Sequence, residues 1–326
     1  LRTLLTAQPF QHDLLYVATT LPLVDARTTM QAGDWNDDGI SDMFLIQRSG
    51  TASGKVEVGV YSTQYSYFDA RTGGQANYYT ALLPVAMNAV NNNDWEFRMD
   101  NWGGGSKPDL FAIHKANTPS GFVEVTVFTG ESNFATSSSV FQTTLPTAGR
   151  DWTFDVGHFN NDGIVDLFAV LRNGAVATEL YVESGAGPTA STAFSTQLLH
   201  VNTAMSRTDA SYQFVVGDMG NDGVPDLLAI QKYGSLSGRV DVSILSGATS
   251  SSGVAPFQWF STQTASGFFQ AGFDWDFDLT DFNSPFAVMQ DGILDLVGFQ
   301  KIAVSSPDFH FLSGALLQPT AVFGNS

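Results

Sequence analysis

Cysteine is absent from the 326 residues, which excludes a disulfide framework and any thiolate zinc site. Basic residues are scarce, 14 Lys and Arg against 32 Asp and Glu, and the resulting formal charge of -18 excludes a phosphate-binding surface of the kind nucleic acid requires. Charged residues of both signs make up only 14% of the chain, their place taken by Ser, Thr, Asn and Gly, a composition that suits short strands joined by many turns. No apolar run approaches the ~18 residues of a membrane helix, and Leu1 to Ala7 lacks the apolar stretch of a signal peptide. No Asn-x-Ser/Thr acceptor with a permissible middle residue occurs, and a start at Leu reads as a processed or trimmed chain. Helical periodicity is missing too, the apolar residues alternating or forming short runs bounded by Gly, Ser, Asn and Pro.

What is present is a repeat. An aspartate opens an apolar strand five times, at Asp42, Asp109, Asp166, Asp226 and Asp295, with spacings of 67, 57, 60 and 69 residues. Six residues after each stands a basic residue: Arg48, Lys115, Arg172, Lys232 and Lys301. Thirteen to fifteen residues after the anchor comes an acidic one, Glu57, Glu124, Glu179, Asp241 and Asp308, within an alternating strand. Five further on lies Ser62, Thr129, Ser184, Ser246 or Ser313, followed by glycine in the last four copies. An aromatic pair precedes the loop in those copies: Trp95 and Phe97, Trp152 and Phe154, Tyr212 and Phe214, Trp275 and Phe277.

Each unit reads as four antiparallel strands, the outermost like Val140 to Leu145, which is the description of a propeller blade. The expected fold is an all-β propeller of five four-stranded blades in one domain over residues 1–326. Because the chain ends soon after the third strand of the fifth copy, residues 1 to about 22 are expected to complete that blade and close the ring. A sixth, irregular blade built from both termini is the alternative. The basic and acidic residues of strands two and three are expected to form cross-strand ion pairs.

The anchor also ends an acidic loop. In the first copy Asp34, Asn36, Asp38 and Asp42, with the carbonyl of Ile40 and a turn at Gly39, supply the oxygen set and spacing that calcium requires. The third copy offers Asn160, Asp162, Ile164 and Asp166, with His158 in first position, and the fourth offers Asp218, Asp222, Val224 and Asp226. In the fifth, Asp281 and Asn283 are separated by the insertion Ser284 to Gln290 from Asp291, Ile293 and Asp295. The second, Asn101 to Asp109, lacks the middle carboxylates, carries Lys107, and is expected to be metal-free. Two to four structural calcium sites follow. The competing reading takes these strings as ordinary turns whose side chains cap their own backbone.

The phrases Val216 to Ile230 and Gly238 to Ala248 resemble the FG-GAP or VCBS repeats of integrin-α-type propellers, which occur also in secreted fungal and bacterial lectins. The resemblance spans nearly the whole chain and implies a secreted, extracellular calcium-binding propeller, although family members commonly have seven blades. The aromatic positions with their flanking acids (Asp94 and Trp95, Asp151 and Trp152, Tyr212, Asp274 and Trp275) suit either a sugar-stacking floor or packing between sheets. The expected function is a non-catalytic, multivalent, lectin-like carbohydrate-binding module for glycans or glycoproteins. A protein-adhesion propeller is the alternative, and a glycoside hydrolase or polysaccharide lyase a third reading. His12, His114, His158, His200 and His310 occupy no common phase, and no nucleophile elbow or paired-histidine motif accompanies them.

Overall fold

A computed structural model describes residues 9–11, 13–18, 25–39, 41–61, 79–160, 162–186, 191–270, 272, 274–281, 293–301 and 308–314. Five antiparallel four-stranded sheets form the blades of a β-propeller. Blade 1 contains β2 (Thr28–Gly33), β3 (Asp42–Gln47), β4 (Lys55–Tyr61) and β5 (Tyr79–Asn88). Blade 2 contains β6 (Trp95–Asp100), β7 (Asp109–His114), β8 (Phe122–Phe128) and β9 (Phe141–Pro146). Blade 3 follows with β10 (Trp152–Gly157), β11 (Asp166–Leu171), β12 (Glu179–Glu183) and β13 (Gln197–Asn202), and blade 4 with β14 (Tyr212–Gly217), β15 (Asp226–Gln231), β16 (Arg239–Leu245) and β17 (Phe260–Phe269). Blade 5 joins β18 (Trp275–Thr280), β19 (Asp295–Gln300) and β20 (Asp308–Leu312) to β1 (Asp13–Ala18) from the other end of the chain. The closure expected of the N-terminal segment is thus present, with Tyr16 opposite His310 in an antiparallel ladder.

Burial follows position in the blade. The second strands (β3, β7, β11, β15 and β19) are buried on both faces, which is why they read as continuous apolar runs. The outermost strand β9 alternates, turning Phe141, Thr143 and Leu145 inward. Five apolar clusters fill the spaces between neighbouring blades. Phe97, Phe154, Phe214 and Phe277, the second members of the aromatic pairs, are all buried in them.

The innermost strands β2, β6, β10, β14 and β18 run side by side around the axis without forming a ladder, so each presents one edge of unpaired N–H groups to its neighbour. A side-chain acceptor meets that edge at every junction. Gln31 Oε1 accepts the N–H of Met99, Glu96 Oε2 that of Phe154, Asp155 Oδ2 that of Val216 and Gln213 Oε1 that of Phe277. Asp276 and Asp278 accept from Met30 and Ala32, returning the ring to blade 1.

Candidate functional site

Because every innermost strand runs the same way, the aspartate loops share one face of the ring and the aromatic starts share the other. In the first loop Asp34 Oδ1 accepts the N–H groups of Asn36 and Asp38, and its Oδ2 that of Gly39. In the fourth, Asp218 accepts from Asp222 and Gly223 in the same way. The sixth-position glycines Gly39, Gly163 and Gly223 have φ of +79°, +79° and +81°, a conformation other residues rarely adopt.

The anchors are buried hubs. Asp226 Oδ2 accepts the N–H of Met219, two residues into its loop, while Oδ1 accepts that of Gly247 at the end of the third strand. Asp109 repeats this with Trp102, Gly103 and Gly130, and Asp166 with Phe159 and Gly185. Asp42 holds Trp35, and Asp295 holds Gly314. Burial pushes the carboxyls of Asp109, Asp166 and Asp226 up, and these N–H bonds pull back against it. The glycine is obligatory: a Cβ on Gly130, Gly185, Gly247 or Gly314 would lie 1.8–2.2 Å from the carbonyl oxygen of the residue preceding the anchor.

Among the described residues no three His, Cys, Asp or Glu side chains gather as a metal-binding group. The carboxylates of the first and fourth loops instead hold loop backbone: Asp34 Oδ1 accepts two N–H groups, while Asp34 Oδ2 and the two Asp218 oxygens accept one each and retain a second lone pair. In the third loop Asn160 and Asp162 bond each other and Ile164 donates its N–H to Asp162. In the second, Asn101 Nδ2 donates to Gly105 O, and Lys107 Nζ lies 4.5 Å from the ring centre of Trp35 in blade 1. Ile40, Asn283, Asp291 and the insertion Ser284 to Gln290 lie outside the described residues, while Asp281, Ile293 and Asp295 fall within them.

The aromatic positions are not equivalent. Trp152 is 2% exposed, edge-on to Tyr181 at 5.3 Å. His114 stacks on Trp95 at 4.1 Å, and Trp275 is ringed by Phe268, Phe277 and His310. Packing is therefore their principal employment. Asp94 accepts from the amides of Asn92 and Asn117, Asp151 pairs with Arg172 at 3.3 Å, and Tyr212 lies against Phe214. Asp274 passes its carbonyl to the N–H of Lys301.

The repeated basic residues turn toward the innermost strands, of their own blade or the next, rather than toward the acids of the third strand. Lys115, Arg172 and Lys232 donate to the carbonyls of Trp152, Tyr212 and Trp275, the first residues of the next innermost strands. Lys301 pairs with Asp276 at 2.8 Å, and Arg48 donates to Asn93. The acidic partners expected for them turn elsewhere: Glu57, Glu124 and Glu179 accept hairpin N–H groups, and Glu124, Glu179 and Asp308 face His114, His200 and His310.

On the loop face the axis opens into a cavity of about 350 Å³, lined by Gln31, Asp34, Asp100, Asn101, Ser106, Asp155 and Asp278 with apolar wall from Met99, Val156, Val216 and Leu279. Burial raises Asp155 to about 6, against the pull of Arg98, whose Nε lies 3.2 Å away. Burial, and then the like charge of Asp155, raises Asp278 to about 7. Asp100 is also raised by burial. Glu96 differs, because Lys115 and Arg98 outweigh its burial and hold it at about 2. Sequence reasoning did not single out these residues. The available signal was polar side chains between and after the aromatic pair, where packing alone would favour apolar ones.

No protein-family description matches the chain, and no curated protein is similar to it. The likeness to integrin-α-type repeats therefore stands on the quoted residues alone.

Proposed function

We propose that this chain is a non-catalytic binding propeller that receives one sugar residue of an extracellular glycan in the axial cavity, with calcium bracing the first and fourth aspartate loops. The observation that supports it is the cavity itself, where carboxyl, amide and hydroxyl groups from blades 1, 2, 3 and 5 converge beside apolar wall. That mixture matches the hydroxyl rim and apolar face of a pyranose, and the volume stands near the lower end of the ~300–1,000 Å³ typical of ligand sites. This reading places one site at the axis rather than several around the ring, because among the described residues the aromatic positions on the opposite face differ from blade to blade. Calcium is assigned to the first and fourth loops because each places three carboxylates, Asp34, Asp38 and Asp42 in one and Asp218, Asp222 and Asp226 in the other, on an uninterrupted nine-residue spacing, whereas the second and third loops carry fewer and the fifth is split by the insertion Ser284 to Gln290.

A glycan array with three proteins tests the site. Wild type is expected to bind, Ser106→Trp to lose the signal by filling the cavity, and Trp95→Ala, on the far face, to keep it. Failure of every glycan with capture of a defined protein ligand would replace this reading by adhesion. A second reading has its own support: the acids of the axial cavity whose carboxyls burial raises, Asp100, Asp155 and Asp278, come from blades 2, 3 and 5 rather than from all five, an asymmetry that catalysis would need. Release of reducing ends from a bound glycan would make the chain a hydrolase or lyase.

A further inference from the structure

We infer that closure of the ring is pH-dependent, with Asp155 and Asp278 as the sensing groups, ionisation of the pair loosening the two blade junctions they span. The inference rests on the blade junctions and not on the ligand reading.

Asp155 carries the bond from blade 3 to blade 4, accepting the N–H of Val216 at 2.6 Å. Asp278 carries the bond from blade 5 to blade 1, accepting the N–H of Ala32 at 2.7 Å, and also takes the N–H of Leu279 at 2.9 Å. Both line the cavity near the axis. The charges facing them are countable. Blade 2 supplies Glu96, Arg98 and Asp100, with Lys115 on Glu96; blade 5 supplies Asp276, neutralised by Lys301. Asp34 and Asp37 stand at the rim, and His158 lies near Asp100, while Gln31 and Gln213 from blades 1 and 4 carry no charge. Lys115 and Arg98 pair with Glu96, on which Arg172 also acts, and Arg98 alone pairs with Asp155, so among the described residues Asp100 and Asp278 have no cation in ion-pair contact and Asp155 has only a shared one. Such groups take up protons rather than remain charged.

A neutral carboxyl still accepts an N–H through its carbonyl oxygen, so protonation keeps both junctions while removing the repulsion between them. The sign follows from the raised values of about 6 and about 7. Folding is favoured most fully below the ordinary aspartate pKa, and that gain is lost as pH rises through these two values. Glu96, held at about 2, acts in the opposite direction but only in stronger acid. Glu183, buried between blades 2 and 3 against Thr144 and raised by burial to about 6, adds a smaller contribution of the same sign.

The test is the melting temperature of the full chain between pH 5 and 8, in EDTA so that calcium plays no part. Wild type is expected to melt about 5 °C lower at pH 8. Asp155→Asn with Asp278→Asn, which fixes both positions neutral, is expected to remove half or more of that fall. A wild-type Tm that rises with pH, or a double variant that keeps the full slope, would overturn the inference. Should the double variant fail to fold, carbon-13 titration of the wild-type aspartate carboxyls decides. Two midpoints above about pH 5.5 support it, and all midpoints near the ordinary value of about 3.9 refute it.

Discussion

Replacing Asp226 by alanine tests whether the repeated aspartate is a backbone hub or only a metal ligand. The carboxylate receives the N–H of Met219 at 3.2 Å and that of Gly247 at 2.9 Å, and it is itself 6% exposed, so water cannot readily replace it. Each donor left without a partner costs about 1–3 kcal/mol, giving about 2–6 kcal/mol for the pair. Burial already raises the Asp226 carboxyl, so removing its charge returns part of this, and about 3 kcal/mol is the expected net loss. Against a total stability of about 5–15 kcal/mol that is severe. In urea it would move the midpoint by about 1 M at an m-value near 3 kcal/mol/M.

The same change at Asp109 supplies the comparison, because that loop lacks the middle carboxylates yet holds Trp102, Gly103 and Gly130 in the same manner. Measured by urea unfolding in EDTA, Asp109→Ala and Asp226→Ala should cost similar amounts. In calcium the cost at Asp226 should grow, while that at Asp109 stays fixed. A loss below about 1 kcal/mol in EDTA at either position would refute the hub and leave Asp226 with nothing but an ion to hold.

Other expectations follow from the same geometry. Gly185→Ala places a Cβ 1.8 Å from the carbonyl oxygen of Val165, so thermal melting should show a loss of more than about 3 kcal/mol, with no relief from ligand or calcium. EDTA should lower the Tm of wild type and calcium should restore it, and Asp38→Ala should reproduce part of the loss; an unchanged melting curve in both cases would make the loops turns only. Trp152→Ala should destabilise by about 3–5 kcal/mol, as expected for a buried aromatic.

The blades were legible because the signals that mark them lie inside strands of fixed length. Anchor, basic residue, acidic residue and hydroxyl keep their offsets, and the glycine after Thr129, Ser184, Ser246 and Ser313 turns out to be the anchor's second donor. A further repeat was hidden by variable loops. Phe134, Phe194 and Phe257 lie five, ten and eleven residues beyond their hydroxyl residues, and Phe10 lies at the other end of the chain. In three dimensions they are one feature: each is fully buried, has φ between 59° and 64°, and donates its N–H to the carbonyl of Thr129, Ser184, Ser246 or Ser313. A left-handed phenylalanine is costly, and only a surrounding that over-determines it keeps it there. The axial acceptors escaped for a different reason. Gln31, Glu96, Asp155, Gln213 and Asp276 share a task but neither a residue type nor a single strand position, so no pattern announces them.

These phenylalanines explain what the aspartate loops accomplish apart from any ion. The second residue of each loop, fixed by its N–H bond to the anchor, is Trp35, Trp102, Phe159 or Met219. Trp35 meets Phe134 of the next blade at 5.5 Å, Trp102 meets Phe194 at 5.9 Å, Phe159 meets Phe257 at 6.4 Å, and Met219 shares its cluster with Phe10. The loop is therefore a joint: the carboxylate ties loop to third strand, and the tie aims a large side chain at the following blade. A device needed equally at every junction must recur at every junction, and this one does so wherever the chain is described. Recognition of an irregular ligand has no such reason to recur. Asp100, Asp155 and Asp278 of blades 2, 3 and 5 depart from the pattern at the axis, where the innermost strands of blades 1 and 4 contribute the uncharged Gln31 and Gln213, and it is in that departure that binding has the means to be specific.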